Sequence, residues 1–365
     1  MIADRKDDHV RHAVNHRRNH SGGNDFDSVA FVHHALAGID SADVRLGVDF
    51  AGKHWTSPLY VNAMTGGSTN TGEINRQLAV AARETGVPIA SGSMSAYFRD
   101  PAVAGTFRVL REENPHGFVL ANVNANATLD QVRSAIDLLE ADALQIHVNS
   151  VQEVVMPEGD RAFAGWPRRI EEIVAGVPVP VIVKEVGFGL SRQTVTWLRE
   201  AGVAVADVGG RGGTNFARIE NDRRAGADFA FIEQWGQSTA ACLLDCTGIT
   251  GIDISASGGI RSPLDMARAL ALGAKATGVA GAFLETLVDH GTEALVAKIT
   301  TWLDQLRNIM TVLGATTPAE LTGRDVLVTG DLAGFCALRG IDVACLAHRS
   351  PWWRESNLRE GVIHE

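Results

Sequence analysis

From residue 58 onward, short apolar runs alternate with longer segments whose apolar residues recur at helical spacing. After the first run, Ile74, Leu78 and Ala82 would lie on one face of a helix. Pro263 stands at the first position of a later helix, where proline is favoured. The apolar runs predict eight strands, over 59–64, 88–93, 118–123, 143–148, 179–185, 204–208, 253–256 and 276–280.

The order of these segments predicts the fold class. Eight strand–helix units follow one another, and the turns after the strands are rich in Gly, Ser and Asn. This order predicts an α/β fold in which eight parallel strands close into a (β/α)8 TIM barrel. A doubly wound open sheet is the alternative. It is weakened because no G-x-G-x-x-G segment follows the first strand.

Two further segments flank the predicted barrel. The N-terminal arm is polar, and the spacings of His9, His12, His16 and His20 fit no regular metal site, so a solvated helix followed by a loop is the simpler interpretation. A long helix from 283 to about 313 leads into a C-terminal helical extension. We predict a single domain over 1–365, with an arm over about 1–55, a barrel over about 56–313 and a tail over about 314–365.

Composition and charge argue against several function classes. A net charge of −10 disfavours a protein that binds nucleic acid without sequence preference, because such a protein needs a basic surface. No apolar run approaches the length that crosses a bilayer, and the charged N-terminus lacks the apolar core of a secretory signal. The four cysteines include no C-x-x-C pair, and Cys242 and Cys246 are expected to pack in a core. We therefore expect a cytoplasmic protein that binds neither nucleic acid nor membrane.

Polar side chains around the fourth predicted strand suggest a ligand site. Within 143–148 one face is apolar, while His147 points to the other face and Asn149 follows the strand. A barrel buries both faces of its strands, and an unpaired buried amide costs about 1–3 kcal/mol. Each residue alone could belong to a satisfied polar cluster. Together with Gln152 and Glu153 they favour a binding site at the carboxyl ends of the strands, where barrel enzymes have their active sites.

Glycine-rich turns after the last two strands predict a phosphate site. Gly258 and Gly259 follow strand seven, and Ala280 and Gly281 follow strand eight. Barrels commonly bind phosphate at this position, on bare backbone N–H groups and a helix N-terminus. One such turn could be only a tight bend, but two at consecutive strand ends favour phosphate binding.

Two charged residues near strand ends each have two explanations. Lys184 ends an apolar strand, so it could pair with a carboxylate such as Asp207, or lie beside a flavin ring and stabilise its reduced, negatively charged form. Glu153 could be a solvated carboxylate on the loop after strand four. Beside His147 and Asn149 it could instead hold Mg²⁺ against a substrate phosphate, since Mg²⁺ is often bound by one or two carboxylates plus substrate oxygens.

Several segments, in a fixed order and spacing, carry a resemblance to a known family. They are RKDDH at 5–9, MTGG at 64–67, QIHVN at 145–149, QE at 152–153, PEGD at 157–160, VKEVGFG at 183–189 and SGGIR at 257–261. Over nearly its full length the chain resembles the type 2 isopentenyl diphosphate isomerases. The resemblance implies an FMN-dependent (β/α)8 barrel that interconverts isopentenyl and dimethylallyl diphosphate.

The resemblance also implies roles for individual residues. FMN would be bound by Ala63, Met64, Thr65, Ser93, Asn122, Lys184 and Thr214, and its phosphate by Gly258, Gly259, Ala280 and Gly281. The substrate would be bound by Arg5, Lys6, His147, Asn149 and Gln152. Glu153 would bind Mg²⁺ at the diphosphate, near His147 and Asn149. Gln152 would lie near the isoprene carbons, and Gln152 and His147 are the candidate catalytic residues.

The implied reaction adds a proton to an unactivated double bond and removes another from the neighbouring carbon, through a tertiary cation that water must not reach. Gln152 cannot readily supply a proton, so the resemblance implies that reduced FMN is the acid–base group and that NADPH reduces it without stoichiometric consumption. It also implies a homo-oligomer, a tetramer or an octamer. Where the family often has Ser-Gln-Arg, this chain has Ser93-Met94-Ser95, so a basic substrate contact must come from elsewhere, and Arg99 is one candidate.

Two competing functions remain at this point. FMN-dependent 2-hydroxy-acid oxidases share the barrel, but they need a His–Arg pair near strand six, and this chain has only Arg211 there. A flavin-binding barrel without activity would be expected to have lost Gln152, Glu153 or His147, and all three are present.

Overall fold

The computed structural model describes residues 2–18, 24–224 and 226–350, with the backbone alone for residues 2–5. Ahead of the barrel lie helix α1 (Ile2–Arg18), strand β1 (Val29–Phe31), and strands β2 (Val48–Phe50) and β3 (Lys53–Trp55), which pair as an antiparallel hairpin. The N-terminal helix agrees with the prediction from the sequence, whereas the three short strands were not expected in a polar arm.

Eight parallel strands form a closed barrel, which confirms the predicted (β/α)8 fold. The strands are β4 (Leu59–Val61), β5 (Ile89–Ala90), β6 (Val119–Asn124), β7 (Ala143–Val148), β8 (Val181–Glu185), β9 (Val205–Asp207), β10 (Asp253–Ser257) and β11 (Ala276–Val279). Each strand pairs with its successor in the chain, and β11 pairs with β4 to close the ring. Both faces of β4 and β8 are buried along their whole length, which explains their continuous apolar runs.

Helices alternate with the strands and cover the outside of the barrel. They are α2 (Thr69–Thr85), α3 (Ser95–Arg99), α4 (Gly105–Glu113), α5 (Leu129–Leu139), α6 (Ser150–Val155), α7 (Trp166–Gly176), α8 (Arg192–Glu200), α9 (Phe216–Asp222), α10 (Thr239–Asp245), α11 (Pro263–Ala271) and α12 (Gly281–Leu313). Ser68 and Thr128 begin α2 and α5 with reciprocal side-chain caps. Pro263 occupies the first turn of α11, as its position in the sequence predicts.

The β2–β3 hairpin closes the amino-terminal end of the barrel. Its Phe50 and Trp55 are both 2% exposed, and they pack with Tyr60, Leu120 and Ile182 in a separate apolar cluster inside the barrel. The rings of Phe50 and Trp55 meet edge to face with centroids 4.7 Å apart. The polar arm thus contributes two large aromatic side chains that close this end of the barrel, which its polar composition did not indicate.

The C-terminal segment packs against the N-terminal one. Strand β12 (Val326–Val328) pairs antiparallel with β1, and helix α13 (Gly330–Arg339) follows it. The predicted C-terminal helical extension is thus confirmed, with a strand in front of it. Cys242 and Cys246 are buried at α10, as expected from their packing pattern. Within the described residues, no helix has the length and apolar character needed to cross a membrane.

One local prediction near the site was wrong, and one helix there was not predicted. Gln152 and Glu153 do not lie on a loop, because residues 150–155 form the short helix α6 with Val155 fully buried. The polar stretch after β9 contains helix α9, which Asn215 begins by accepting a hydrogen bond from the N–H of Arg218. Ala217 of α9 packs with Val155 and Phe188, so a few apolar residues fold this polar segment onto the rim of the barrel.

Candidate active site

One cavity of about 600 Å³ opens at the carboxyl ends of the barrel strands, within the usual size range of ligand sites. Nine of the eleven predicted flavin residues line it: Ala63, Met64, Thr65, Lys184, Thr214, Gly258, Gly259, Ala280 and Gly281. Helix α1 borders the same cavity with Lys6, His9 and His16. Ser93 and Asn122 do not line it; the Ser93 hydroxyl lies 3.0 Å from that of Ser95. The roles of all these residues stay predictions.

The cavity contains a backbone cradle suited to an anion. Gly258 and Gly259 have φ values of +83° and +79°, and a Cβ on Gly258 would lie 2.1 Å from the carbonyl oxygen of Gly210. Glycine is therefore required at position 258 by both conformation and space. The long helix α12 begins at Gly281 after Ala280, and no described side chain caps its first turn. Its free N–H groups and the positive end of its dipole fit a phosphate.

Lys184 is a buried cation without an ion-pair partner among the described residues. It is 6% exposed, and its Nζ donates a hydrogen bond to the carbonyl oxygen of Glu185 at 2.8 Å. Burial lowers the pKa of Lys184, while the negative charges of Asp207 and Glu185 act in the opposite direction. The predicted alternative, a salt bridge to Asp207, is not observed. The ammonium group is thus available to a ligand in the cavity.

Asp207 instead belongs to a polar network inside the barrel. Its Oδ2 accepts hydrogen bonds from Tyr60 Oη at 2.8 Å, Ser257 Oγ at 2.9 Å and Asn62 Nδ2 at 3.2 Å. The carboxylate is fully buried, and its charge together with burial raises the pKa of Tyr60. With three donors on one oxygen, Asp207 has its hydrogen bonds inside the barrel, beneath the floor of the cavity.

Thr65 supplies a further sign that the cavity takes a polar ligand. The residue is 2% exposed and lines the cavity, and its hydroxyl has no hydrogen-bond partner among the described residues. Buried hydroxyls are nearly always hydrogen-bonded, so an orphaned one points to a missing partner. With the glycine cradle and the unpaired Lys184, this hydroxyl makes the residues present a good fit for a phosphorylated flavin.

His147 is held as a neutral imidazole. Its Nδ1 lies 2.9 Å from Asn122 Oδ1, and Asn122 Nδ2 donates to the carbonyl oxygen of Ser91 at 3.2 Å. Because this second bond fixes the amide of Asn122, Nδ1 of His147 carries the proton and donates it. Burial, with smaller contributions from Lys184 and Lys6, lowers the pKa of His147 to about 3.

Gln152 is fixed from both sides by residues of the rim. Its Oε1 accepts a hydrogen bond from Asn149 Nδ2 at 3.1 Å, and its Nε2 donates to Glu220 Oε1 at 2.8 Å. His9 Nε2 of α1 lies 3.1 Å from the same oxygen of Glu220, and Arg223 contacts the other oxygen. One chain of hydrogen bonds therefore runs from Asn149 through Gln152 to Glu220, and His9 lies at its end.

Glu220 is a site residue that the sequence analysis missed. Its side chain is fully buried, which alone would raise its pKa, but His9, Gln152 and Arg223 together lower the pKa to about 2. The group is thus a permanent negative charge next to Gln152. No sequence signal marked it, because it lies in a polar stretch far along the chain from both Gln152 and His9.

Both carboxylate oxygens of Glu153 accept hydrogen bonds, and the residue is partly exposed. Oε1 accepts from Asn149 Nδ2 at 3.1 Å, and Oε2 accepts from the backbone N–H of Asp160 at 2.8 Å. In the described part of the chain Glu153 does not belong to any cluster of three or more metal-binding side chains. A metal ion on this single carboxylate would need oxygens from the substrate, as the sequence analysis expected.

The basic residues of the predicted substrate site are only partly described. Lys6 is 8% exposed and lines the cavity, which is unusual for a lysine near a chain terminus. The side chain of Arg5 lies outside the described residues. Arg99, the candidate replacement for a basic contact near Ser95, is exposed at the end of α3 and does not line the cavity.

Three kinds of comparison relate the chain to known proteins. Residues 108–328 match the FMN-dependent dehydrogenase family. The chain is 71% identical over 359 residues to "Isopentenyl-diphosphate delta-isomerase" of Nocardia farcinica, covering 98% of this chain and 99% of that one. It is 65% identical to the protein of the same name from Kitasatospora griseola, with 95% of each chain covered.

Solved structures with low identity support the fold alone. A mandelate oxidase mutant aligns with a TM-score of 0.60 at 17% identity, covering 88% of this chain and 92% of that one. A flavocytochrome b2 mutant aligns with a TM-score of 0.61 at 20% identity, covering 96% and 85%. Because relatives at 65–71% identity over at least 95% of the chain carry this name, and residues 108–328 match the FMN-dependent dehydrogenase family, the chain belongs to the type 2 isopentenyl-diphosphate delta-isomerases.

Proposed function

We propose that this isomerase interconverts isopentenyl and dimethylallyl diphosphate on a bound, reduced FMN, with Mg²⁺ on the diphosphate. The observation that carries the proposal is the cavity itself. It combines a glycine cradle for a phosphate, an unpaired buried Lys184, and a neighbouring chain of hydrogen bonds through Gln152 to Glu220. The reaction itself is inferred from the names of relatives that are 63–71% identical to this chain.

FMN would rest in the cavity with its phosphate on the Gly258–Gly259 turn and the first turn of α12. Bound and reduced, the cofactor supplies the acid–base chemistry at the alkene. Lys184 would lie where negative charge accumulates on the reduced ring, and the orphaned hydroxyl of Thr65 would gain a partner. The buried charge of Asp207 helps to keep Lys184 protonated, because it opposes the effect of burial on the pKa of the lysine.

The diphosphate would be bound by Lys6, Arg5, His147 and Asn149 at the rim. His147 is neutral in the free protein, and its Nε2 is then an acceptor that cannot donate to an anion. A bound diphosphate favours the protonated imidazole, so substrate binding would be accompanied by proton uptake at Nε2. Glu153 would add one carboxylate to a Mg²⁺ whose other ligands are diphosphate oxygens and water.

Gln152 would hold the isoprene end of the substrate rather than transfer the proton itself. Its amide is oriented by Asn149 and Glu220, which removes its freedom to turn. The negative charge of Glu220 is close enough to favour positive charge that develops on the carbons beside Gln152. The α1 helix closes this side of the cavity with Lys6 and His9, and so helps to exclude water from a cationic transition state.

NADPH would act only as a reductant of the flavin, since the isomerisation itself transfers no net electrons. An oxidase of 2-hydroxy acids is a less suitable assignment. The guanidinium of Arg211 donates to the carbonyl oxygen of Gln234 at 2.9 Å, and the histidines that line the cavity, His9 and His16, come from α1 rather than from the end of β9.

The test is an anaerobic assay of the purified protein with FMN, NADPH, Mg²⁺ and isopentenyl diphosphate in D₂O, followed by NMR. We expect dimethylallyl diphosphate with deuterium at the carbon that gains the proton, and no turnover when the flavin is oxidised. Flavin binding without any isomerisation would instead support the non-catalytic barrel. Oxidation of a 2-hydroxy acid such as lactate or mandelate would support the oxidase, and either result would overturn the proposal.

A further inference from the structure

Helices α1 and α9 face each other through histidines and carboxylates. His9, His12 and His16 follow one another along α1 at spacings of three and four residues, which brings them to one face. Glu220 and Asp222 lie on α9 opposite them. The histidine spacings alone fit no metal site in the sequence, because the remaining ligand comes from a residue 206 positions later in the chain.

Three of these side chains converge on one point. One ligand atom from each of His12, His16 and Asp222 lies within 4.8 Å of the other two. Nε2 of His16 is 2.6 Å from Oδ2 of Asp222, and Nδ1 of His12 is 3.9 Å from the same oxygen. The second distance is too long for a hydrogen bond. Two imidazoles thus converge on a carboxylate oxygen to which only one of them is bonded.

The donor set fits a divalent transition metal rather than Mg²⁺. Two imidazoles and one carboxylate suit Zn²⁺ or Co²⁺, and two histidines four residues apart on a helix can bind one ion together. Atoms bound to one ion at about 2.0–2.2 Å lie roughly 3.4 Å apart in a tetrahedral site. His12 would therefore move toward Asp222 and His16 away from it, each by roughly 1 Å or less, which side-chain rotation can supply. The side chains are 22%, 18% and 38% exposed, so an ion can enter and a water can complete the coordination.

Neighbouring cations do not occupy this point. Arg17 and Arg18, which follow His16 on α1, pair with Glu285 and Asp289 of α12 on another side of the helix. The site is also separate from Glu153, which belongs to no such cluster in the described part of the chain.

We propose that His12, His16 and Asp222 form a binding site for Zn²⁺ or a similar divalent transition metal, which fastens α1 to α9. The same helix carries Lys6 and His9 to the cavity, and α9 carries Glu220. A bound ion would therefore hold α1 in place at the border of the cavity. This site does not depend on the proposed reaction or on the Mg²⁺ at Glu153.

The test is a titration of the full-length, tag-free, FMN-loaded protein with Co²⁺ in the presence of millimolar Mg²⁺, monitored by the visible absorption of the cobalt. We expect one Co²⁺ per chain, displaced by Zn²⁺, and a loss of affinity of at least about 10-fold in His16→Ala and in Asp222→Asn. The matched control is His54→Ala, because His54 also pairs with an aspartate, Asp49, but lies on the β2–β3 hairpin.

Hydrogen exchange gives a second readout that does not use the spectrum. Zn²⁺ should slow exchange of the α1 amides in the wild-type protein and in His54→Ala, and should have no effect in His16→Ala. Wild-type protein that binds no Co²⁺, or a His16→Ala variant that binds it as tightly as wild type, would overturn the proposal. So would Zn²⁺ binding that leaves exchange of α1 unchanged, since the ion would then not fasten the helix.

Discussion

Lys184 and Asp207 are register partners on the neighbouring strands β8 and β9, yet they do not form an ion pair. Oδ2 of Asp207 accepts from Tyr60, Asn62 and Ser257, whereas Lys184, among the residues that the structure describes, bonds only a backbone carbonyl oxygen. Two side chains of opposite charge at such neighbouring positions normally form an ion pair. Here Asp207 has its hydrogen-bond partners within the barrel, so Lys184 stays available to a ligand in the cavity.

Lys184→Met should therefore lower the reduction potential of bound FMN. Removing a buried cation that faces a charge costs about 3–5 kcal/mol, and 1.4 kcal/mol is about 30 mV for a two-electron couple, so we expect a fall of roughly 60–110 mV. Anaerobic redox titration measures it. Lys275→Met is the control, because Lys275 pairs with Asp253 at a partly exposed position. An unchanged potential in Lys184→Met would refute a role of the lysine at the flavin ring.

Gly258→Ala should abolish tight FMN binding. Its Cβ would lie 2.1 Å from Gly210 O in the phosphate cradle, so the turn must move. Gly273→Ala is a matched control, since Gly273 also has a positive φ, +104°, but nothing within 4 Å of an added Cβ. Gly273→Ala should lose about 1 kcal/mol of stability to backbone strain, and Gly258→Ala should lose more because its turn must also move. Only Gly258→Ala should weaken FMN affinity, by roughly 100-fold or more in a fluorescence titration (~3 kcal/mol). Equal FMN affinities in the two variants would show that the Gly258–Gly259 turn does not bind the phosphate.

Much of this site could be predicted from the sequence because barrel strands bring their carboxyl ends together. Once Gly258 and Ala280 are assigned to successive strand ends, their proximity follows from the fold, and the same holds for Lys184 and Met64. Periodicity in short apolar runs also located all eight strands to within a few residues.

Contacts made by the rim and the arm could not be predicted in this way. Glu220 meets Gln152 across 68 residues and meets His9 across a still longer separation, and neither contact follows from strand order. The hairpin of Phe50 and Trp55 was hidden by its polar neighbours, since a plug needs only two large side chains. Such residues are positioned by tertiary packing, so local sequence patterns carry little information about them.

Glu220→Gln should reduce kcat by roughly 10²–10³, since it removes a preorganised negative charge beside Gln152. The variant keeps the size of the side chain, and the KM for isopentenyl diphosphate should change little. The lowered pKa also predicts a stability difference. Wild type should gain about 3 kcal/mol over the variant above pH 4.5, and lose this gain as the pH falls toward 2.

Urea unfolding across this pH range measures the stability difference, and Glu172→Gln, which pairs with Arg168 on the surface of α7, is the control. Such an exposed pair contributes only about 0–1 kcal/mol, so this control should match wild type. A Glu220→Gln enzyme with full kcat would show that the buried charge has no part in the reaction.

Glu153→Gln should raise the Mg²⁺ concentration needed for half-maximal turnover by at least roughly 10–100-fold, because it removes the only protein carboxylate proposed for the ion. FMN affinity should not change, since Glu153 does not line the cavity proposed for FMN. Glu158→Gln is the matched control, as Glu158 lies five residues further on and pairs with Arg223. If the Mg²⁺ dependence of Glu153→Gln matched that of wild type, the metal would have to be held elsewhere.

His147→Asn should flatten the pH dependence of stability in the absence of substrate. The pKa of His147 falls from 6.5 to about 3 on folding, so between these values the unfolded chain binds a proton that the folded protein does not. The contribution of His147 to the stability of the wild-type protein therefore decreases as the pH is lowered through this range, by up to about 1.4 kcal/mol per pH unit.

Asparagine at position 147 can still donate to Asn122 Oδ1 but cannot take up the proton, so the part of the slope due to His147 should disappear while the hydrogen bond remains. Urea denaturation at pH 4.5, 5.5 and 6.5 checks this, with His54→Asn as the control because the side chain of His54 is 67% exposed. A pH slope of stability that is lost in His147→Asn and kept in His54→Asn would identify the buried imidazole of His147 as its source. Equal slopes in wild type and His147→Asn would mean that folding does not lower the pKa of His147, and the imidazole would then not be held neutral by burial.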